Sequence, residues 1–580
     1  MENSTPVAPQ ACSSCRKQKR KCDKRLPQCT LCIRIGRTCD YSIAEHAPPP
    51  SADDFAALQQ KVADLEALLT RTATASSNNH SATASHGSRG PSSTINGEEN
   101  ALHLLASVSP APDQPVTFPS LFFLDSDMFE YERLHVHPPL VKVPPGALHA
   151  LGDSAQLRAM IEAYFVTVHT YFPIICKIRL YQHLANPATE PGADLALLFL
   201  AMKLICSELP EGAPPQTQLY ADVKAFLTYI ESQNGYSMHV MQALLLISLY
   251  ELGHAIYPAC YLSIGHAARL GHAMGLHQRD APQMLPRFHT WTAQEEKRRV
   301  WWAVVILDRF SGIGHRKTPF ATYDPSLDAH LPTDDDNWDR GQLVVAAPLA
   351  LSASPSVQAA PFARTCQAAH LLGKIVRHLN DKALPNTYRF EEALQLHRTM
   401  RALTAALVQE AADDDPNQGP TLCTALAICY SALLTLYDAN SCTKENTVDT
   451  TEAQLMMQKE SVEGLREITP EAMNHARRLR AFAERRGGWG GLSPLAIDPL
   501  YQAAANYAWY VRESSDLQCS ARLQEVKEIL MVIDQRWRVA GEYMRIIEAT
   551  EYRSASIRSM RALNPDLQPL CDASTYTAMY

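Results

Sequence analysis

The chain has 580 residues, and its apolar content of 46% is normal for a globular protein. This length indicates about three or four domains. The first residues form no apolar stretch typical of a secretory signal, and the longest apolar runs are too short to cross a bilayer. We therefore expect a soluble intracellular protein with no membrane partner.

The net charge of −8 conceals an asymmetry along the chain. Residues 12–41 contain nine Lys and Arg against two Asp, which leaves a net charge of −15 for the rest. A basic head on an acidic body indicates that one small module contacts a polyanion. Six of the fifteen cysteines also lie within residues 12–39. Clustered cysteines in an intracellular protein favour a metal site over disulfides.

The cysteines of this head, residues 10–42, form two copies of one unit separated by seventeen residues: Cys12, Cys15 and Cys22, then Cys29, Cys32 and Cys39. Two tetrahedral Zn²⁺ ions need eight ligand positions, so six thiolates are enough only when two sulfurs are shared. Cys12 and Cys29 occupy equivalent places in the two units and are the predicted bridges. Cys15 and Cys22 then complete one site, and Cys32 and Cys39 complete the other.

So small a module has too little apolar material for a core, and zinc is expected to supply its folding free energy. The competing interpretations are a disulfide scaffold and a RING-like or LIM-like protein-binding module. The second usually includes histidine ligands, and no histidine lies between Cys12 and Cys39. Between its second and third cysteines, the first unit carries five basic residues, whereas the second unit carries only Arg34 and Arg37. We therefore expect the first unit to face the polyanion.

Residues 11–42 closely resemble the fungal binuclear zinc-cluster DNA-binding domain. The resemblance lies in the cysteine spacing, the basic run before Cys22, Pro27 in the middle loop and the closing Cys-Asp-Tyr-Ser. It implies that the end of the first helix enters the major groove over a CCG triplet. Lys19 is then the base-reading residue, and backbone carbonyls near Gln18 accept from cytosine. The remaining predicted DNA contacts are to phosphates and come from Arg16, Lys21 and Lys24.

Residues 43–54 form a linker that contains three consecutive prolines. Apolar residues then recur at alternating steps of three and four, as in the seam of a coiled coil: Phe55, Leu58, Val62, Leu65 and Leu69. We predict a short coiled coil over residues 55–71 that makes a homodimer on paired triplets. The alternative is a single amphipathic helix packed on the body.

Residues 72–150 are assigned to a mostly disordered linker because Ser, Thr, Ala, Asn, Gly and Pro dominate its first part. Near its end, residues 121–132 mix acidic and aromatic side chains. This segment is interpreted either as an activation segment that binds coactivators or as a segment whose aromatic residues pack under the body. We favour packing under the body.

From about residue 150 the periodicity is helical, which predicts an all-α body and a mainly α protein. The clearest predicted helices are 156–170, 194–207, 219–233, 238–250, 257–274, 293–310, 364–380, 390–412, 422–437, 470–484, 499–513 and 520–548. Residues 163–173, 267–277 and 296–302 resemble the middle regulatory domain of fungal transcription factors. We assign its core to residues 151–340 and a helical continuation to residues 341–580.

The body shows no Gly-rich phosphate loop and no GxSxG string, so we expect no enzyme. The gaps between His254, His266, His272 and His277 do not place them on one helical face, which favours core, cap or loop roles over a metal site. The body is instead the expected place for a coactivator or corepressor surface and for a small-molecule effector.

Together these features predict a nuclear transcription factor with two Zn²⁺ ions that binds double-stranded DNA and regulates RNA polymerase II transcription. By resemblance we expect an activator, with a secondary-metabolite gene cluster favoured as its target. Regulation of nutrient use or of drug response is the alternative within the family. A zinc-based protein-interaction module is the alternative outside it.

Overall fold

The computed structural model describes residues 8, 10–17, 21–41, 121–131, 139–185, 192–278, 281–286, 289–314, 318–343, 348–381, 385–412, 422–442, 451–486, 488–514 and 516–563. Contacts divide the chain into two units, Met1–Ser107 and Val108–Tyr580. Among the described residues of the first unit are two short helices, α1 (Ser13–Lys17) and α2 (Thr30–Ile35).

The second unit, which we call the body, is helical throughout its described residues apart from one isolated β-bridge between His330 and Ala350. The mainly α fold class is therefore confirmed. Its helices are Leu121–Leu124 (α3), Ser126–Tyr131 (α4), Pro145–Leu151 (α5), Ser154–Val166 (α6), Lys177–Ala185 (α7), Ala193–Cys206 (α8), Gln218–Ser232 (α9), Met238–Gly253 (α10), Ala259–Ala273 (α11), Trp291–Ser311 (α12), Asp335–Asp339 (α13), Pro361–Asn380 (α14), Asn386–Ala412 (α15), Cys423–Asn440 (α16), Glu452–Arg486 (α17), Asp498–Ser514 (α18), Leu517–Asp534 (α19) and Val539–Leu563 (α20). Two short 3₁₀ helices, Val168–Thr170 and Pro494–Ala496, complete the set.

Three helices that are apolar on every side form the centre of the body. Nearly all residues of α8, α10 and α16 are buried, which is the pattern of a helix surrounded by other helices. Helix α8 packs against α10, and α16 packs against α14, α15, α17 and α18. Helix α12 links the two groups, because it contacts α10, α11 and α14.

Charged side chains of α12 are buried, which helical periodicity alone does not indicate. The guanidinium of Arg299 donates to Glu295, to Asp335 and to the Thr333 carbonyl, and it lies 4.1 Å from the ring centroid of Trp338. Burial opposes its charge, but the carboxylates of Asp335 and Glu295 raise the pKa of Arg299. This cation therefore fixes the loop and helix α13 against α12.

A second arginine, in the last turn of α12, acts in the same way. Arg309 donates to Asp308, to Thr322 and to the Tyr323 carbonyl, and its guanidinium lies over the ring of Phe320. Gly373 on α14 makes room for this side chain, since a Cβ there would lie 2.3 Å from Arg309 Cδ. The glycine lets α12 and α14 approach closely.

Two predicted helix boundaries in the body are wrong. The sequence pattern predicts a helix that begins at Pro470, but α17 runs through this residue from Glu452 to Arg486. Proline donates no backbone hydrogen bond there. The helix continues because a buried stripe holds it against its neighbours: Met457, Ser461, Ile468, Ala472, Ala476 and Leu479.

The other wrong boundary is the single helix predicted over residues 520–548, which is two helices, α19 and α20. At the break, Trp537 is fully buried and its indole N–H donates to the Leu492 carbonyl at 2.9 Å. Arg536 turns back to the Ile205 carbonyl. Both contacts come from distant parts of the chain, so local periodicity could not indicate the break.

Part of the stretch assigned to the linker belongs to the body. Helices α3, α4 and α5 lie within residues 121–151, and their buried apolar side chains join the main core: Phe122, Phe129 and Leu151. These large apolar residues can be buried, unlike the small polar residues that dominate earlier in the linker. The predicted coiled coil, residues 55–71, lies outside the described residues.

The four histidines considered for a metal site are distributed over several environments. His254 is buried in the core, and His266 Nε2 lies 3.1 Å from Glu231 Oε1. The rings of His272 and His277 do meet, with centroids 4.7 Å apart, because the turn after α11 brings His277 back beside the helix. Their spacing in the sequence does not indicate this contact.

Buried histidines make the free energy of unfolding of the body depend on pH. Burial lowers the pKa of His254 and His475 to about 3, and that of His370 to about 4. The unfolded chain binds protons at these side chains below about pH 6.5, whereas the folded chain does not. The free energy of unfolding is therefore fully present above pH 6.5 and falls as the pH decreases towards 3.

We predict that His475→Gln, which cannot bind the proton, reduces this dependence. Between pH 7 and pH 5 the unsubstituted body should lose about 2 kcal/mol more of its unfolding free energy than the variant does. Denaturant unfolding, followed by helical circular dichroism at both pH values, measures the difference. His289→Gln removes an exposed histidine and is the control. Equal losses in His475→Gln and the unsubstituted chain would contradict the prediction.

Candidate zinc centre and nucleic-acid interface

The two units of the head have equivalent local structures. In the first, the Cys15 N–H donates to Cys12 Sγ at 3.5 Å, and in the second the Cys32 N–H donates to Cys29 Sγ at 3.4 Å. In each unit the second cysteine lies in the first turn of a helix, and its N–H donates to the sulfur of the first cysteine. The sulfur of Cys29 occupies the N-cap of α2.

The two serines between Cys12 and Cys15 make hydrogen bonds to the other end of the head. Ser14 Oγ donates to the Thr38 carbonyl at 2.7 Å, and the Ser13 N–H donates to the Asp40 carbonyl at 2.8 Å. These bonds join the start of the head to its end, so the first helix and the last cysteine are held together.

Four cysteine sulfurs meet at the centre of the head. Cys12 Sγ lies 3.8 Å from Cys29 Sγ and 3.7 Å from Cys32 Sγ. Cys15 Sγ lies 3.7 Å from Cys29 Sγ and 4.0 Å from Cys32 Sγ. Ligands of a tetrahedral zinc ion lie about 3.8 Å apart, since each Zn–S bond is about 2.3 Å. The donor set therefore fits zinc.

The inner sulfurs join the two units of the head. Cys12 lies close to Cys32 and Cys15 lies close to Cys29, and all four residues are buried. The two other cysteines lie at the periphery and are half-buried. Cys22 Sγ is within 4.8 Å of Cys29 Sγ, and Cys39 Sγ accepts from the Cys29 N–H at 3.2 Å.

The pKa values of the clustered cysteines indicate that their thiolates need cations nearby. Burial, reinforced by hydrogen bonds with neighbouring sulfurs, raises the pKa of the Cys15 thiol and raises that of Cys32 to about 12. Burial opposes ionisation of Cys29 too, but the Cys32 N–H lowers the pKa of Cys29 overall. Sulfurs at these separations can all be thiolates only when metal charge neutralises them.

Two residues that the sequence analysis missed support the frame. Asp23 accepts from the N–H and the hydroxyl of Thr30, which fixes the first turn of α2. Tyr41 Oη donates to the Arg25 carbonyl at 3.0 Å and lies 3.8 Å from Cys22 Sγ. An acidic residue directly after a cysteine in a basic module was the available signal for Asp23.

The predicted DNA contacts are only partly within the described residues. Arg16 belongs to α1, while Gln18 and Lys19 lie outside the described residues. Lys21 is exposed. Lys24 has a left-handed backbone with φ of 60°, and its carbonyl accepts from the Ala8 N–H at 2.8 Å. The predicted contacts that are described, Arg16, Lys21 and Lys24, thus belong to the first unit.

Groups of three or more metal-binding side chains were found only in this head, within the part of the chain that the structure describes. One contains Cys12, Cys15, Cys29 and Cys32, and the other contains Cys22, Asp23 and Cys29. Among the same residues, every helix is too short or too polar to span a bilayer.

Two families match the chain, one in the head and one in the body. Residues 10–47 match the fungal Zn(2)-Cys(6) binuclear cluster domain, and residues 161–379 match the fungal specific transcription factor domain. The first of these domains binds two zinc ions. No solved structure matches the chain.

Similar proteins include several fungal transcription factors. Transcription factor BOA15 of Botryotinia fuckeliana is 34% identical over 178 residues, which are 31% of this chain and 98% of that protein. The citrinin biosynthesis transcriptional activator ctnR of Monascus purpureus is 26% identical over 353 residues, 58% of each chain. The azaphilone cluster-specific transcription factor azaR of Aspergillus niger is 24% identical, over 74% of this chain and 85% of that protein. The chain thus spans well under two thirds of the citrinin regulator.

We predict that the full chain, purified without added metal, carries about two zinc ions. Cys12→Ala should lose zinc from both positions, because both ions would need this sulfur, while Cys39→Ala should retain more. Elemental analysis after gel filtration measures the ratio. Cys442→Ala, which removes an exposed cysteine of the body, is the matched control and should retain two ions. Two zinc ions in Cys12→Ala would exclude a bridging role for that sulfur.

Proposed function

Because the chain belongs to the fungal Zn(2)-Cys(6) transcription factors, we propose that it is a nuclear, sequence-specific regulator of RNA polymerase II transcription. The observation that carries the proposal is the sulfur cluster of the head with basic residues concentrated on one of its two units. A metal frame holds the first helix in one orientation, and the basic run supplies contacts to phosphate and base.

The ligand roles follow the pseudo-symmetry of the head. Cys12 and Cys29 bridge the two ions, and the other four cysteines are terminal ligands. The role of zinc is structural, since all ligand positions are filled by sulfur and none is open to substrate. The helices α1 and α2 have only five and six residues, too few to be stable alone in water, and the ions hold them in place.

The reading of DNA is assigned to the first unit. Lys19 donates to guanine in a CCG triplet, and backbone carbonyls near Gln18 accept from cytosine. Arg16, Lys21 and Lys24 contact phosphates, which set the position of the helix in the groove without reading sequence. The left-handed turn at Lys24, held by the Ala8 N–H, supports a fixed place for this lysine.

The proposed target is a biosynthetic gene cluster, with activation as the proposed effect. The support comes from relatives whose names state such roles, among them the citrinin activator and the azaphilone cluster regulator. Coactivator or corepressor contacts and any small-molecule effector are assigned to the body. The relatives are transcription factors, which favours regulation over catalysis.

Lys19→Ala should abolish the preference for a CCG-containing duplex over a scrambled one. A lost bidentate base contact costs about 1–3 kcal/mol, so the preference should fall about ten- to hundredfold. Gel shifts with the full chain measure binding to both duplexes. Lys21→Ala, a neighbouring lysine assigned to phosphate, should weaken both equally and reduce the salt dependence by about one ion. Unchanged preference in Lys19→Ala would remove it from base reading.

The proposed homodimer depends on the apolar seam at residues 55–71. Leu58→Glu with Leu65→Glu places like charges in that seam and should separate the two chains. The variant should then bind a duplex with two triplets no more tightly than a duplex with one. Light scattering gives the mass, and gel shifts on both duplexes give the affinity. A dimer that persists with its two-triplet advantage would place dimerisation elsewhere.

A further inference from the structure

The segment Leu121–Tyr131 has two sets of apolar side chains with opposite environments. It forms α3 and α4, which meet at Asp125, where the side chain accepts from the Met128 N–H and the carbonyl accepts from the Phe129 N–H. This turn gives the segment one defined conformation, although it follows directly on the linker. The two sequence interpretations, burial and exposure, therefore apply to different residues of the same segment.

The buried set is an aromatic pair. Phe129 is 1% exposed, Phe122 is nearly as buried, and their rings meet edge to face with centroids 5.1 Å apart. Both belong to the main hydrophobic core of the body. Their contact places them on one side of the segment, and as members of this core they anchor it to the body.

The exposed set forms a surface that we call the acidic–aromatic face: Phe123, Leu124, Asp125, Asp127, Met128, Glu130 and Tyr131. Leu124 and Tyr131 are each 80% exposed, so their apolar area lies in water. The described segment contains three carboxylates and no basic residue. Neither Asp127 nor Glu130 makes an ion pair with the residues that the structure describes.

We propose that the acidic–aromatic face is an activation surface that docks into an apolar groove rimmed by Lys or Arg on a coactivator protein. This inference rests on the proposed function. The exposed apolar side chains fill the groove, and the carboxylates pair with its rim.

The charge of the face distinguishes this partner from others. Three carboxylates repel DNA, so the face is no extension of the nucleic-acid interface. A second copy would bring the same carboxylates together, and like charges across an interface oppose pairing. A purely apolar groove would bury the carboxylates without partners, which is costly. A groove with a basic rim satisfies both kinds of side chain.

Anchoring determines how this surface binds. A disordered activation segment loses conformational freedom when it docks, and that loss weakens binding. Here the buried aromatic pair has already fixed the backbone. The face is accordingly presented as a small preformed surface.

The test uses the full chain in a fungal cell, with a reporter gene behind the duplex that the chain binds best in gel shifts. Leu124→Ala with Tyr131→Ala should lower reporter output about fivefold or more, because exposed anchors of this kind dominate binding. Occupancy of the promoter, measured by chromatin immunoprecipitation, should stay the same. If the proposed function itself fails, the unsubstituted chain will show no occupancy, so the two failures are distinguishable.

Matched controls separate docking from general effects of surface substitution. Leu517→Ala with Tyr552→Ala removes the same two residue types from positions that are 87% and 77% exposed elsewhere on the body, and should leave output unchanged. Phe129→Ala should lower the thermal stability and the amount of protein, which the Leu124 and Tyr131 double variant should not do.

The carboxylates provide the test of partner chemistry. Asp127→Lys with Glu130→Lys should abolish activation at constant occupancy, whereas Asp127→Glu with Glu130→Asp should retain it. Full output from the lysine variant would overturn the basic groove. An unchanged output from the Leu124 and Tyr131 variant, a loss that follows reduced occupancy, or tighter DNA binding by that purified variant would each overturn the proposal.

Discussion

The sulfurs of Cys12, Cys15, Cys29 and Cys32, which lie within 4.8 Å of one another, are the constraint on which the head depends. A head this small has too little apolar surface for a core, and its two helices have only five and six residues. Cys12, Cys15, Cys29 and Cys32 form the centre, because each lies beside a cysteine of the other unit. The two units of the head are therefore joined through this sulfur cluster.

The body obtains its stability in a different way. Apolar helices such as α8, α10 and α16 supply the core, and buried arginines fix how the surrounding segments sit on it. Arg299 and Arg309 are fully buried, yet each is surrounded by carboxylates, carbonyls and an aromatic ring. Removing one partner would leave an uncompensated charge, so these sites tolerate few alternative arrangements. The arginine contacts determine which loop packs against α12. The apolar contacts favour packing there but do not select the segment.

How much could be predicted from the sequence depended on whether the signal was local. The spacing of the cysteines predicted two equivalent units, and the same N–H to sulfur bond occurs in both because each unit is a local turn. Helical periodicity found most of the body for the same reason. It failed at Pro470, where distant packing outweighs a missing hydrogen bond, and at Trp537, whose partner is the Leu492 carbonyl. Burial of the α12 charges was equally hidden, since Asp335 and Thr333 lie far along the chain from Arg299.

The segment Leu121–Tyr131 has both a buried apolar side and an exposed charged side. Its composition alone left burial and partner binding as competing interpretations, but the aromatic residues divide between core and solvent. The exposed carboxylates cannot be buried without cationic partners, whereas Phe122 and Phe129 gain by leaving water. The same short sequence therefore has to be two-sided. Because its anchors are part of the main core, the geometry of the exposed face depends on how the body packs around Phe129. A change in that packing would therefore alter the exposed face.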